Sequence, residues 1–221
     1  MKKKTAILFG ATGLTGTHVL KNLIRDERYE KIKVFTRSAP GIKSTKIQVF
    51  ETTLEDIDRH EHEIKGHDLF CCLGTTIKKA GSRKNFRKVD YEFVIKIAAR
   101  AAGNEVPCFL VISSIGANPD SSNFYLRTKG EMERDVLEFG LNKAVILRPS
   151  MLLGKRGDFR FAEEAGKIFM RLIRPVLRGK LKKYRAIEAE TVAVAMVKLA
   201  NIPTTKVIFE SDEISLLRGQ V

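Results

Sequence analysis

The apolar run Thr5-Ala-Ile-Leu-Phe9 leads directly into Gly10-Ala-Thr-Gly-Leu-Thr-Gly16. A buried strand that enters a glycine-rich turn and then a helix leaves few folds open. The backbone must turn tightly, and phosphate oxygens must be able to approach it with no Cβ in the way. The helix that follows offers unpaired N–H groups and the positive end of its dipole. Val19, Leu20, Leu23 and Ile24 recur at helical spacing and predict a helix over residues 15–25. Three glycines alone fit any strand-to-helix turn. With these flanks they form a grip for a dinucleotide pyrophosphate.

The rest of the chain repeats the alternation. Apolar strand runs are expected at 5–9, 32–36, 47–51, 68–73, 108–113 and 144–148, with helices at 15–25, 91–102 and 126–138 and a short polar segment over 54–64. Continuous apolar strands separated by helices indicate βαβ units and a parallel sheet buried on both faces. The expected fold class is therefore α/β, a doubly wound, mainly parallel sheet. After Arg148-Pro149 the pattern changes. Phe161, Ala165, Ile168, Phe169, Leu172, Ile173, Val176 and Leu177 make an apolar face interrupted by Pro175, with basic residues opposite. A further helix is expected at 190–200 and a short strand at 206–210. The division is a single domain over 1–221, with a cofactor-binding core to about 150 and a small, helical substrate-side lobe from about 151.

Composition narrows the class. The chain has 221 residues, 43% hydrophobic and 30% charged, enough for one sizeable core. No apolar stretch approaches the roughly 20 residues that span a bilayer. The Met1-Lys-Lys-Lys start resembles a secretory n-region, but the apolar run stops at Gly10. These points give a cytoplasmic expectation. Cys71, Cys72 and Cys108 have no metal-ligand spacing and read as buried, reduced thiols, so no metal is expected. The net charge of +14 thickens at 78–88 and 171–185. Nucleic acid, an anionic membrane or an anionic small molecule would each explain it, as would a solvated Lys-rich surface. No nucleic-acid motif accompanies it.

The second strand ends in Thr36-Arg37-Ser38. A carboxylate there would bond the ribose 2′-hydroxyl of NAD and repel a 2′-phosphate. Arg37 offers a planar fork that pairs with a 2′-phosphate, and Ser38 adds a hydrogen bond, so the expected cofactor is NADP(H). Gly74, in Cys72-Leu73-Gly74-Thr75-Thr76, fits a place where the chain passes close to a ribose.

Tyr125-Leu-Arg-Thr-Lys129 puts a phenol and an ammonium one turn apart on one helix face. A phenol with an unperturbed pKa of about 10 is a poor acid–base group, and a neighbouring cation favours its phenolate. The same ammonium can bond ribose hydroxyls. Ser113 and Ser114 end a strand at the carboxyl edge of the sheet, where either could hold a substrate carbonyl.

In this order, Gly10-x-x-Gly13-x-x-Gly16, Ser113-Ser114, Tyr125-x-x-x-Lys129 and Arg148-Pro149 resemble the short-chain dehydrogenase/reductase superfamily in its extended or atypical branch. Phe70-Cys-Cys-Leu-Gly-Thr-Thr76, Lys79-Ala-Gly81, Val89-Asp90 and Ser121-Ser-Asn-Phe124 are similar to the Tat-interacting-protein oxidoreductase group. The resemblance implies a Rossmann fold, NADPH, and Tyr125 as proton donor or acceptor assisted by Lys129. It implies Ser114 as the polarising serine, with Ser113 as the fallback. Thr12, Gly13, Leu14 and Thr15 would meet the phosphates, Arg37 the 2′-phosphate, and Leu73 and Gly74 the adenosine-side ribose, with Gly10 and Gly16 as further cofactor-binding residues. Leu152 would line the nicotinamide pocket, and Arg160 would reach the cofactor or substrate. The expected function is an NADP(H)-dependent oxidoreductase acting on an unidentified small carbonyl or alcohol. The alternatives are an NADPH-binding regulatory protein without significant turnover, or a sugar-nucleotide epimerase or dehydratase. Monomer and homodimer stay open.

Overall fold

The computed structural model describes residues 3–154 and 179–219. Seven strands form one sheet: β1 (Lys4–Phe9), β2 (Tyr29–Thr36), β3 (Ile47–Glu51), β4 (Asp68–Cys71), β5 (Cys108–Ile112), β6 (Lys143–Arg148) and β9 (Ile208–Glu210). Their order is β3-β2-β1-β4-β5-β6-β9, with every neighbouring pair parallel. The order reverses direction between β1 and β4, the switch point where such sheets open a crevice at their carboxyl ends. β7 (Leu152–Leu153) and β8 (Ile187–Glu188) form a separate parallel ribbon.

The strands alternate between two cores because successive side chains point to opposite faces. Ala6, Leu8, Phe70, Leu110 and Leu147 face α1 (Leu14–Arg25) and α6 (Ala189–Asn201). Ile7, Phe9, Leu69, Phe109 and Ile146 face α4 (Phe93–Gly103) and α5 (Phe124–Glu138). Both faces are covered at the centre of the sheet, which explains why β1, β4 and β5 read as nearly unbroken apolar runs. Cys71 and Cys72 fall on opposite faces for the same reason.

Strand and helix ends depart from the sequence reading where the chain borders the carboxyl edge. β4 stops at Cys71 rather than at residue 73, because the chain leaves the sheet there to border a groove. The helix expected from residue 91 begins as α-helix at Phe93 and is preceded by a π turn, Lys88–Glu92, that holds Tyr91. Two short helices ahead of it, α2 (Ile77–Ala80) and α3 (Arg83–Arg87), bury only Phe86 between them. They begin at side-chain caps instead, with Thr76 accepting from the Lys79 N–H and Ser82 from the Asn85 N–H. The segment expected at 54–64 holds a 3₁₀ helix, Ile57–Glu63.

Among the described residues beyond β6, those from Ala189 onward build on the same sheet. α6 packs against α1, β9 extends the sheet beside β6, and α7 (Ser211–Arg218) opens with a capping box between Glu210 and Glu213. The stripe from Phe161 to Leu177 and Arg160 lie outside the described residues.

Several lysines close helix ends. Lys46 Nζ donates to the carbonyls of Ile24 (2.8 Å) and Asp26 (2.9 Å) at the end of α1. Lys143 Nζ donates to the carbonyls of Leu199 and Ile202 at the end of α6, and Lys198 Nζ to the Leu217 carbonyl in α7. At the amino end of the sheet, the Asp68 carboxylate takes Lys4 Nζ at 2.9 Å and the Tyr29 hydroxyl at 2.6 Å. Asn201 donates to that hydroxyl at 2.9 Å.

Candidate functional site

The carboxyl ends of β1, β2 and β4 border an open groove of about 660 Å³. Gly10, Thr12, Gly13, Arg37, Leu73 and Gly74, six of the expected cofactor residues, line it. Gly10 has φ +79°, and a Cβ there would meet the Cys72 carbonyl oxygen at 2.5 Å, so the turn admits no side chain. Gly16 does not line the groove: its Cβ would lie 2.0 Å from the Gly10 carbonyl oxygen, so this glycine lets α1 pack against the turn. Gly13 is the N-cap of α1 and brings no side-chain acceptor, which leaves the first-turn N–H groups to a ligand. Thr15 is buried, and Leu14 packs beneath Gly154.

Arg37 stands where the groove meets a smaller cavity of about 280 Å³, which Arg59, His60, Glu51 and Asp56 also line. The Phe9, Phe35 and Phe50 rings stack in succession at 4.8 Å, fixing the end of β2 beneath it. Lys79, Asn85 and Lys88 form the opposite wall, and Lys88 pairs with Glu55 at 2.7 Å.

The second cluster stands on α5. Its N-cap Asn123 accepts from the Leu126 N–H at 3.2 Å, starting the helix just ahead of Tyr125. The Tyr125 ring packs on Phe86, 5.3 Å between centroids. Lys129 is buried, with Nζ 2.8 Å from Asp90 Oδ1 and 3.4 Å from the Ile112 carbonyl to which it donates. Asp90 Oδ2 accepts the Thr75 N–H at 2.9 Å. Burial opposes a charge on Lys129, but Asp90 and, after it, Tyr125 outweigh that and hold the ammonium above its ordinary range. Ser113 is buried, and its Oγ has no hydrogen-bond partner among the described residues. Ser114 is half-buried and donates weakly to the Ile115 carbonyl at 3.4 Å. Leu152 lies in the β7–β8 ribbon opposite Ile187, and Arg160 is outside the described residues.

All three cysteines are free. Burial pushes Cys71 and Cys108 up to about 12 and Cys72 well up, so the thiols stay protonated near neutral pH.

Sequence reasoning missed Asp90 as a site residue, and Thr75, Lys79 and Lys88 as groove residues. Lys79 and Lys88 belong to the basic thickening at 78–88, which was a legible signal. The role of Asp90 depends on burial by a π turn, which leaves no periodic trace.

A parallel sheet in this order, a glycine turn beside its switch point and a Tyr–Lys helix at the same edge define an NAD(P)-binding protein of the short-chain dehydrogenase/reductase type. The chain belongs to the NAD(P)H-binding family, which it matches over residues 10–203, and groups with the proteins FMP52 and HTATIP2. Protein FMP52, mitochondrial, of Debaryomyces hansenii is 34% identical over 207 residues, 91% of this chain and 90% of that protein. Protein HTATIP2 of Rattus norvegicus is 32% identical over 173 residues, 76% of this chain and 71% of that protein. The UDP-N-acetylglucosamine 4-epimerase from Methanobrevibacter ruminantium M1 superposes with TM-score 0.71 at 17% identity, covering 95% of this chain and 77% of that one. MoeE5 in complex with UDP-glucose and NAD gives TM-score 0.68 at 16% identity, covering 97% and 81%. At these identities the two structures share the fold.

The comparisons overturn the cytoplasmic expectation. Fungal relatives in this group are named mitochondrial proteins, so composition and the lack of a long apolar stretch do not assign a compartment.

Proposed function

We propose that the chain is an NADP(H)-dependent oxidoreductase acting on a small carbonyl or alcohol. The observation that carries this reading is Lys129: a buried ammonium, kept charged, one helical turn from Tyr125 at the carboxyl edge of the sheet. The groove suits a dinucleotide, since the glycine turn that lines it carries no side chain at Gly10 or Gly13 and the first turn of α1 has no side-chain cap. Gly10, Thr12 and Gly13, with the N–H groups of Leu14 and Thr15, hold the pyrophosphate, and Gly16 seats the helix that carries them. Arg37 and Ser38 take the 2′-phosphate, Leu73 and Gly74 lie along the adenosine-side ribose, and Lys129 bonds the nicotinamide ribose hydroxyls. Leu152 and Arg160 belong to the nicotinamide and substrate side, in the portion from about 151 to 221, against a cofactor-binding portion to about 150.

The nicotinamide supplies hydride chemistry at the substrate carbon when bound. Tyr125 gives its phenolic proton to the carbonyl oxygen in reduction and takes it back in oxidation, and the Lys129 charge makes the phenolate accessible. Ser114 holds that oxygen by a hydrogen bond, with Ser113 the alternative.

Tyr125→Phe is expected to abolish NADPH oxidation across a panel of small carbonyls while NADPH affinity is kept. Unchanged turnover would overturn the proton role, and wild-type binding without turnover on any carbonyl would favour a regulatory protein. Arg37→Ala is expected to weaken NADPH binding by roughly ten- to a hundredfold, a charge-assisted pair being worth about 1.5–3 kcal/mol, and NADH binding little. Equal losses for the two cofactors would overturn the 2′-phosphate assignment.

A further inference from the structure

We infer that Phe86 is a positioning residue for Tyr125: its ring sets the place of the phenol relative to the wall of the groove. This rests on the proton role given to Tyr125 in the proposed function and extends it to a residue outside that set.

Phe86 is the apolar residue in the run Arg83-Lys84-Asn85-Phe86-Arg87-Lys88, part of the basic thickening at 78–88. α2 and α3 bury no other side chain, yet Phe86 is 0% exposed. It belongs to neither of the two cores that flank the sheet. The rings it meets stand on the first turn of α5. Tyr125 lies at 5.3 Å between centroids and 40° between planes, and Phe124 at 5.9 Å and 60°. Both separations suit offset and edge-on aromatic pairs. A phenol on the opening turn of a helix can change rotamer unless something packs on it. Among the described residues, Phe86 is the one ring that packs on Tyr125.

α3 is itself fixed on two sides. Ser82 caps it, and Asn85 Nδ2 donates to the Ala80 carbonyl at 3.0 Å. Arg87 pairs with Glu131 of α5, and the Arg83 guanidinium lies over the Phe124 ring at 5.3 Å. Asn85 and Lys88, close to Phe86 on either side in sequence, line the groove, whereas Phe86 does not. One short helix therefore forms part of the groove wall and packs the phenol. Proton transfer is steep in geometry, so a ring that holds the phenol acts on the rate rather than on cofactor binding. The Arg87–Glu131 pair and the Tyr91 hydroxyl, which donates to Asp135 at 2.6 Å, also join this region to α5. Removing the Phe86 ring should leave α3 in place.

The test takes two measurements on Phe86→Leu, which keeps an apolar side chain and loses the ring. The first needs no cofactor. The chain has 4 tyrosines and no tryptophan, so its near-ultraviolet circular dichroism reports ordered tyrosines. Phe86→Leu should lose the part of the tyrosine band that Tyr125→Phe loses, and should change the band little further when added to Tyr125→Phe. The second is turnover. kcat on a small carbonyl should fall roughly ten- to a hundredfold, while NADPH affinity, read by nicotinamide fluorescence, stays at its wild-type value. An unchanged tyrosine band, an unchanged kcat, or kcat and NADPH affinity lost together overturns the proposal. If Phe86→Leu does not fold, Phe86→Met, closer in volume, takes its place with the same expected and refuting results. If wild type turns over no carbonyl, the proposed function itself fails, an outcome distinct from these, and the tyrosine band alone decides whether Phe86 orders Tyr125.

Discussion

The two ends of the sheet each hold a lysine–aspartate pair, and the pairs are finished differently. At the amino end, Asp68 is bonded by Lys4 and Tyr29, and Asn201 bonds the Tyr29 hydroxyl and accepts from Lys4 at 3.0 Å. Every polar group in that knot has a protein partner. At the carboxyl end, Lys129 has Asp90 and one long bond to a carbonyl, and the Ser113 hydroxyl beside them has no partner among the described residues. Buried groups are normally satisfied. The carboxyl end is thus the less closed of the two, with a buried ion pair and, among the described residues, an unpartnered hydroxyl where the amino end has a completed knot.

Stability measurements would break or sharpen this contrast. The largest effect is expected for Lys129→Met, which strands a buried carboxylate and should cost about 3–5 kcal/mol in urea unfolding. Lys4→Met should cost less, about 1–2 kcal/mol, because the Lys4 side chain is 28% exposed and Tyr29 remains on Asp68. Equal losses would erase the distinction between the ends.

Alkaline pH should act at both ends through one buried thiol each, Cys71 at the carboxyl end and Cys108 at the amino end, where Tyr29, raised by burial and Asp68, adds to it. The folded thiol values of about 12 stand above the ordinary 9.0, so the unfolded chain loses these protons first and stability falls as pH rises above about 9. Below that pH the contribution is intact. By pH 10 each thiol should cost on the order of 1 kcal/mol, and each Cys→Ala variant should flatten the thermal midpoint against pH to a similar extent. A midpoint level to pH 10.5 would contradict this.

The hydroxyls at the two ends should separate in the same way. Tyr29→Phe removes a donor from buried Asp68 and should cost about 1–3 kcal/mol. Ser113→Ala removes a hydroxyl with no partner among the described residues and should change stability by less than about 0.5 kcal/mol, read in the same urea titration. A large loss at Ser113 would mean that this end is as closed as the other.

What was legible follows the same division. The central strands β1, β4 and β5 were readable because their runs are buried on both faces and mostly apolar. α1, α5 and α6 were readable because they turn one stripe to a core. α2, α3 and α7 bury little and begin at caps, so periodicity passes over them, although Glu210-x-x-Glu213 carried a capping signal. In the site, Gly10, Gly13 and Arg37 line the groove as their motif positions imply, because a turn and a strand end have local causes. Lys129 and Asp90 did not announce their burial. Such residues are mostly solvated, and only the meeting of α5 with the π turn buries this pair.

The lysines that close helix ends alter what the charge of +14 means for the molecule in salt. Lys46 and Lys143 sit on carbonyls at contact distance, where mobile ions screen little, while the exposed lysines repel one another through solvent. Ionic strength therefore acts on the repulsion and spares the caps. The folded chain should become modestly more heat-stable as sodium chloride rises from low to physiological levels, a gain that thermal melts would register and that a falling midpoint would refute.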